Sequence, residues 1–207
     1  MSYSKKSIPF AFLLCSFSLS LFSQNPSTKE IAKFQEGAKK VTIIRDNWGI
    51  PHIYGKTDAD AVFGLMYAQC EDDFNRIEMN YIEKLGSLSE IKGKSYLYND
   101  LEIKLLIDVN EAKADYKKAA PWLKKLLNSY ADAINFYLYK HPEVKPLLLT
   151  RFEPWFPLLW TDGSIGAIST ADLSVAELKA FYSGNNEKVT YVEREKNVQT
   201  GSNGFAF

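Results

Sequence analysis

The sequence predicts a mainly helical α+β chain with a few short strands, on three observations. Apolar residues recur at spacings of three and four over two long stretches, 58–85 and 111–140, the signature of helices that bury one face. A β-branched run from Val41 to Ile44 stops at Arg45-Asp46-Asn47-Trp48-Gly49 and resumes as Ile50-Pro51-His52-Ile53-Tyr54, the pattern of two short strands joined by a turn. Of 207 residues, 46% are hydrophobic and 14% aromatic, which supplies a core and argues against disorder.

The first 23 residues read as an export signal. Lys5 and Lys6 form a positive start, and Ile8 to Phe22 is a 15-residue apolar run broken by serines. A membrane-spanning helix needs roughly 18 apolar residues or more, so the run is too short to anchor the chain. Ser23-Gln24 offers the cleavage point. Leu14 stands where lipidation at Cys15 would want a small residue. The expected location is periplasmic or secreted, with no membrane attachment after cleavage.

Pro26, Ser27 and Thr28 open a short helix through Lys39, and the hairpin follows. Asp58 reads as the N-cap of the long helix. Val62, Leu65, Met66 and Gln69 share one face, continued by Phe74, Ile77, Tyr81 and Leu85, and Gly86 ends the helix. Residues 87–106 are mixed. From 111 to 140 a stripe of Leu123, Leu126, Leu127, Tyr130, Ile134, Tyr137 and Leu138 opposes Lys124, Lys125, Asn128 and Asp132, until His141-Pro142 stops it. Phe152-Glu153-Pro154-Trp155 starts another element, and Leu173 to Tyr182 is a last short helix. Residues 183–201 are polar and charge-rich and read as a linker. The final Gly201-Ser202-Asn203-Gly204-Phe205-Ala206-Phe207 is an apolar, strand-like beginning with nothing to pair with, so the chain reads as the N-terminal part of a longer one.

Composition excludes several functions. Lys+Arg and Asp+Glu both number 25, for a formal net charge of zero, whereas a nucleic-acid binder needs clustered excess cation. Two cysteines and two histidines make neither a disulfide scaffold nor a Cys/His metal site. Cys70 on an apolar helix face reads as a small buried hydrophobe with no catalytic role.

Two stretches resemble the penicillin acylase family of N-terminal-nucleophile hydrolases. The first contains Ile44-Arg45-Asp46, Trp48-Gly49-Ile50-Pro51-His52-Ile53, Asp60-Ala61, Phe63-Gly64, Tyr67-Ala68-Gln69-Cys70-Glu71-Asp72-Asp73-Phe74, and Leu85-Gly86 leading to Glu90 and Gly93. The second, Gly201-Ser202-Asn203-Gly204-Phe205-Ala206, is similar to the family's processing site, where the precursor breaks before the serine. The Glu-Asp-Asp-Phe wording looks more like the aculeacin and acyl-homoserine-lactone acylase branch than the branch that cleaves penicillin G.

The resemblance implies a four-layer αββα sandwich in the parent protein, cut into a signal (1–23), a mostly helical α chain (24–182), a spacer (183–201) and a β chain starting at Ser202. It implies an αβ heterodimer that hydrolyses a linear amide of an acylated small molecule. In that chemistry the Ser202 hydroxyl attacks the Gly201 carbonyl, and water cleaves the resulting ester. Gly201 leaves its carbonyl approachable. The freed α-amine, with a reference pKa of roughly 7.7–8.0, then serves as base for its own hydroxyl. No histidine and no cofactor are required. The 207 residues alone are expected to be inactive, since the oxyanion donors lie downstream.

Other residues carry less. The resemblance places Ile165 and Ile168 near the acyl pocket, where a buried apolar role explains them equally. It places Glu177, with Asp172 as the alternative, near the position from which some relatives ligate a structural calcium. His52 reads as a structural hydrogen-bonding residue. Glu71, Asp72 and Asp73 point in different directions along a helix, so an arginine-paired or solvated face is expected rather than a shared ion. Two readings stand beside hydrolysis. A relative that binds acylated ligands without cleaving them would keep an intact precursor; a short exported helical protein would end in a stop codon after Phe207.

Overall fold

The computed structural model describes residues 26–159 and 173–184. Helix α1, Thr28–Ala38, begins at a capping box in which the Ser27 hydroxyl accepts the Glu30 amide and the Glu30 carboxylate accepts the Ser27 amide. Strands β1, Val41–Arg45, and β2, Pro51–Gly55, pair antiparallel with Ile43 opposite Ile53 and Ile44 opposite His52. The inner face of this hairpin lies flat on helix α2, Asp58–Lys84. A Cβ on Gly64 would come within 2.5 Å of Val41 Cγ1 and 2.6 Å of Ile53 Cγ2, so only glycine permits that approach.

Helix α2 departs from expectation in three ways. Its N-cap is Thr57, whose hydroxyl accepts the Asp60 amide while the Asp60 carboxylate accepts the Thr57 amide. Asp58 sits one residue inside, where its charge faces the positive helix end. The buried face runs through Phe63, Met66, Cys70, Phe74 and Ile77, whereas Leu65 is exposed. The helix also breaks at Asp73 (φ −162°, ψ 77°). There the Asp73 side chain accepts the Arg76 amide at 3.0 Å and caps the second half.

Residues 87–106 resolve into α3, Leu88–Lys92, a single 3₁₀ turn, Lys94–Tyr96, and α4, Leu97–Leu106. Gly86 and Gly93 punctuate them with φ of 62° and 87°. No local side chain caps α3. Instead the buried Asp100 carboxylate accepts the Leu88 and Ser89 amides, each at 2.7 Å.

The single helix expected over 111–140 is two, α5, Val109–Lys118, and α6, Pro121–Lys140. Ala119 and Ala120 carry ψ of 145° and 150°; Ala120, directly before Pro121, is driven out of the helical region, and Pro121 then suits the first helical position. Helix α6 ends at His141, as the following proline requires.

The core sits between α2 and α6, with α1 against α6. Phe34, Phe63, Phe74, Ile134, Phe136 and Phe152 are buried there. Residues 142–159 wrap this pair and are held by polar clamps. Glu78, fully buried on α2, accepts the Leu147, Leu148 and Leu149 amides at 2.9, 2.7 and 2.8 Å. Asn135 donates to the Phe152 carbonyl and accepts its amide. Arg151 bridges Glu153 and Glu30, tying this segment to the start of α1. A 3₁₀ turn, Phe156–Leu159, follows, and α7, Val175–Tyr182, packs on α4. No helix among the described residues is long and apolar enough to cross a membrane.

Candidate functional site

The hairpin turn, the break in α2 and the last turn of α6 meet around a cleft of about 550 Å³ lined by Arg45, Gly49, Glu71, Asp72, Tyr137 and His141. Arg45 organises it. Its guanidinium donates to the Gly49 carbonyl at 2.9 Å and to the Ala68 carbonyl at 3.3 Å, and it pairs with Glu71 at 3.1 Å and Asp72 at 2.8 Å. Ala68 lies just before the break, so Arg45 acts as a cationic cap on the first half of α2. The hydrogen bond to Glu71 holds Arg45 more firmly protonated than an ordinary guanidinium, against the effect of desolvation. The acidic triplet thus divides by role: Glu71 and Asp72 pair with arginine, and Asp73 starts the next helix.

The hairpin turn is locked in the same way. Asp46 Oδ1 accepts the Trp48 and Ile50 amides at 2.9 and 3.0 Å, and His52 Nε2 lies 3.3 Å from Oδ2. Desolvation raises the Asp46 pKa, but the Ile50 and Trp48 amides and His52 outweigh it and hold the carboxyl below its usual range. His52 therefore stands in the hydrogen-bonding role expected of it. At the other wall, His141 Nδ1 lies 2.9 Å from Glu143 Oε1 and Nε2 lies 3.4 Å from the Tyr67 hydroxyl. Its ring also lies 4.4 Å, centroid to centroid, from that of Tyr137.

This cleft holds compensated charge and aromatic surface, and none of the residues lining it is an activated nucleophile. The thiol of buried Cys70 is pushed up to about 12 by desolvation, with Glu71 adding to it, so it is inert near neutrality. The expected nucleophile Ser202, its neighbour Gly201, the expected pocket residues Ile165 and Ile168, and Asp172 all lie outside the described residues, as do the signal, Cys15 and most of the spacer.

Glu177 is described. It is the third residue of α7, and its Oε2 accepts the Ser174 amide and hydroxyl, both at 2.7 Å. Among the described residues there is no group of three or more His, Cys, Asp or Glu placed to hold a metal. Arg45, Glu78 and Asp100 were not identified as organising residues from the sequence. Arg45 stands in the motif wording, but its partners lie 23 and 26 residues away.

The described fold matches a solved thermostable penicillin G acylase from Alcaligenes faecalis with a TM-score of 0.54 at 18% identity, covering 69% of this chain and 81% of that one. The family model described as penicillin amidase matches residues 40–207. The chain belongs to the penicillin amidase family. It is 28% identical over 136 residues to an acyl-homoserine lactone acylase of Pseudomonas fluorescens, covering 64% of this chain and 17% of that protein. It is 26% identical over 106 residues to the penicillin G acylase of Escherichia coli, covering 51% and 12%. A penicillin acylase 2 proenzyme of a Pseudomonas species is 28% identical over 120 residues, covering 56% and 16%. The chain thus spans between 12% and 17% of the length of these relatives.

Proposed function

We propose that this chain is the N-terminal part of an exported acylase precursor that hydrolyses a linear amide of an acylated small molecule. Ser202 is the nucleophile and its α-amine, freed by cleavage after Gly201, is the base. The supporting observation is that the family match runs through residue 207 and so takes in Gly201-Ser202-Asn203 together with the upstream motifs. The relatives' names, acyl-homoserine lactone acylase and penicillin G acylase, agree on amide hydrolysis, and one is named a proenzyme.

The acyl group transfers to Ser202 Oγ with release of the amine. Water, deprotonated by the α-amine, then releases the carboxylic acid and regenerates the hydroxyl. The mature protein is an αβ heterodimer built on an αββα sandwich in the periplasm or outside the cell. Within it the described helices form one flank.

The test uses the full reading frame expressed with its export signal. The N-terminal sequences and masses of the mature polypeptides are determined, with Ser202→Ala as the control. Two chains, the larger starting at Ser202, and an uncleaved control are expected. A single uncleaved chain in both would end the catalytic reading and leave a binding protein.

A further inference from the structure

The zero net charge of the chain averages over an uneven surface. Between residues 113 and 125, where α5 turns into α6, Lys113, Lys117, Lys118, Lys124 and Lys125 face a single acid, Asp115. Lys124 is half-buried and the other four lysines are exposed. The corner is held in shape. The Tyr116 hydroxyl on α5 donates to Asn128 Oδ1 on α6 at 2.8 Å. Lys124 Nζ donates to the Lys117 carbonyl at 2.6 Å, which brings its charge beside the two lysines that end α5. Lys113, one turn earlier, has its ammonium 4.8 Å from the centre of the Trp155 ring. None of the five enters an ion pair among the described residues, whereas Lys33 and Lys39 do. Gathered like charges repel one another. Helix dipoles account for Lys117 and Lys118 at the negative end of α5, but not for Lys125 near the positive start of α6, whose first turn holds no acid. Among these lysines Trp122 is 65% exposed.

We propose that the α5–α6 corner is a membrane-contact surface, whose lysines bind anionic phospholipid headgroups while Trp122 settles among them. Charge complementarity calls for an anionic partner, and three features select a bilayer. Indole favours the boundary between water and hydrocarbon, where its ring is apolar and its N–H stays wet. Lysine carries its ammonium on a flexible four-carbon stem, which suits a fluid array of headgroups better than one fixed anion. The corner also protrudes, with Ala120, Pro121 and Trp122 all exposed, whereas single-stranded nucleic acid is held in a basic groove. Roughly four to eight basic residues on a helical surface make a patch of this kind, each lysine adding about fivefold in affinity. The contact is peripheral and needs no spanning helix. It revises the expectation that the chain has no membrane attachment once its signal is removed, and it is independent of the chemistry proposed for Ser202.

The test uses the full-length protein and co-sedimentation with vesicles of phosphatidylcholine, alone or mixed in equal parts with phosphatidylglycerol. Binding to the anionic vesicles only is expected, weakening as added salt screens the charges. Replacing Lys117→Gln, Lys118→Gln and Lys125→Gln together should weaken it about a hundredfold. The melting temperature and the terminal sequences of the mature protein should stay as in the wild type. Tryptophan emission should shift to the blue when anionic vesicles are added, and Trp122→Phe should abolish the shift. No binding to anionic vesicles, equal binding to both kinds, or binding that the triple variant retains overturns the proposal. A blue shift that persists in Trp122→Phe also overturns it, because another tryptophan then meets the lipid. So does tighter binding to a single-stranded RNA oligonucleotide than to the vesicles, which would assign the corner to nucleic acid.

Discussion

Glu78 and Arg45 are both charged, and both hold backbone, yet their removal should cost differently. Glu78 is fully buried and accepts three amides of residues 147–149. Glu78→Gln keeps the shape, but its NH₂ group faces a backbone donor instead of accepting from it. The expected loss is about 2–4 kcal/mol, read by urea unfolding, with hydrogen exchange at Leu147 to Leu149 accelerating more than elsewhere. Arg45 is about one-third exposed, so Arg45→Ala should cost less, about 1–2 kcal/mol, and Arg45→Lys should recover only part because one ammonium cannot serve the same fork of acceptors. Glu30 supplies a pH dependence. The Arg151 hydrogen bond, then the Ser27 contacts, bring its pKa from the ordinary 4.5 to about 2. A carboxyl depressed by folding stabilises the fold above the unfolded value and stops doing so as pH falls through the folded one. The wild type should therefore lose this contribution between pH 4.5 and 2, while Arg151→Ala shows a shallower decline over that window in thermal unfolding.

At the scale of elements, the closest constraint is the seat of the hairpin on α2. Gly64→Ala places a methyl against Val41 and Ile53, and overpacking of this kind costs about 1–3 kcal/mol. The hairpin should loosen first, seen as faster hydrogen exchange at Ile43 and Ile53 than in α6. Periodicity made the helices and the hairpin legible from sequence, since an apolar stripe reports burial wherever it occurs. It could not report the break before α6. Ala119 and Ala120 are good helix formers, and only the geometry that Pro121 imposes on its predecessor distinguishes two helices from one. Asp100 and Glu78 were illegible for another reason: their partners lie 11–12 and 69–71 residues away, and no local pattern marks a buried carboxylate as a clamp. Of the candidate site, the motif wording was readable. The sharing of Arg45 between a helix end and two carboxylates needed coordinates.

For the whole molecule, the chemistry proposed for Ser202 makes a claim independent of the fold's stability. A catalyst whose base is its own α-amine must lose activity as that amine is protonated. The amine has a reference pKa of roughly 7.7–8.0, and a proton on it leaves the hydroxyl with no acceptor. In the processed protein, kcat/KM for an acylated amide should fall about tenfold per pH unit well below that pKa. The fall must come from chemistry and not from unfolding. The Glu30 contribution to stability is lost only as pH falls from 4.5 toward about 2, well below the catalytic limb. Measuring kcat/KM and thermal unfolding across pH 4–9 on one preparation separates the two. An acid limb set by the amine while the melting temperature holds supports the N-terminal serine. A profile flat from pH 5 to 8 would exclude the α-amine as the base.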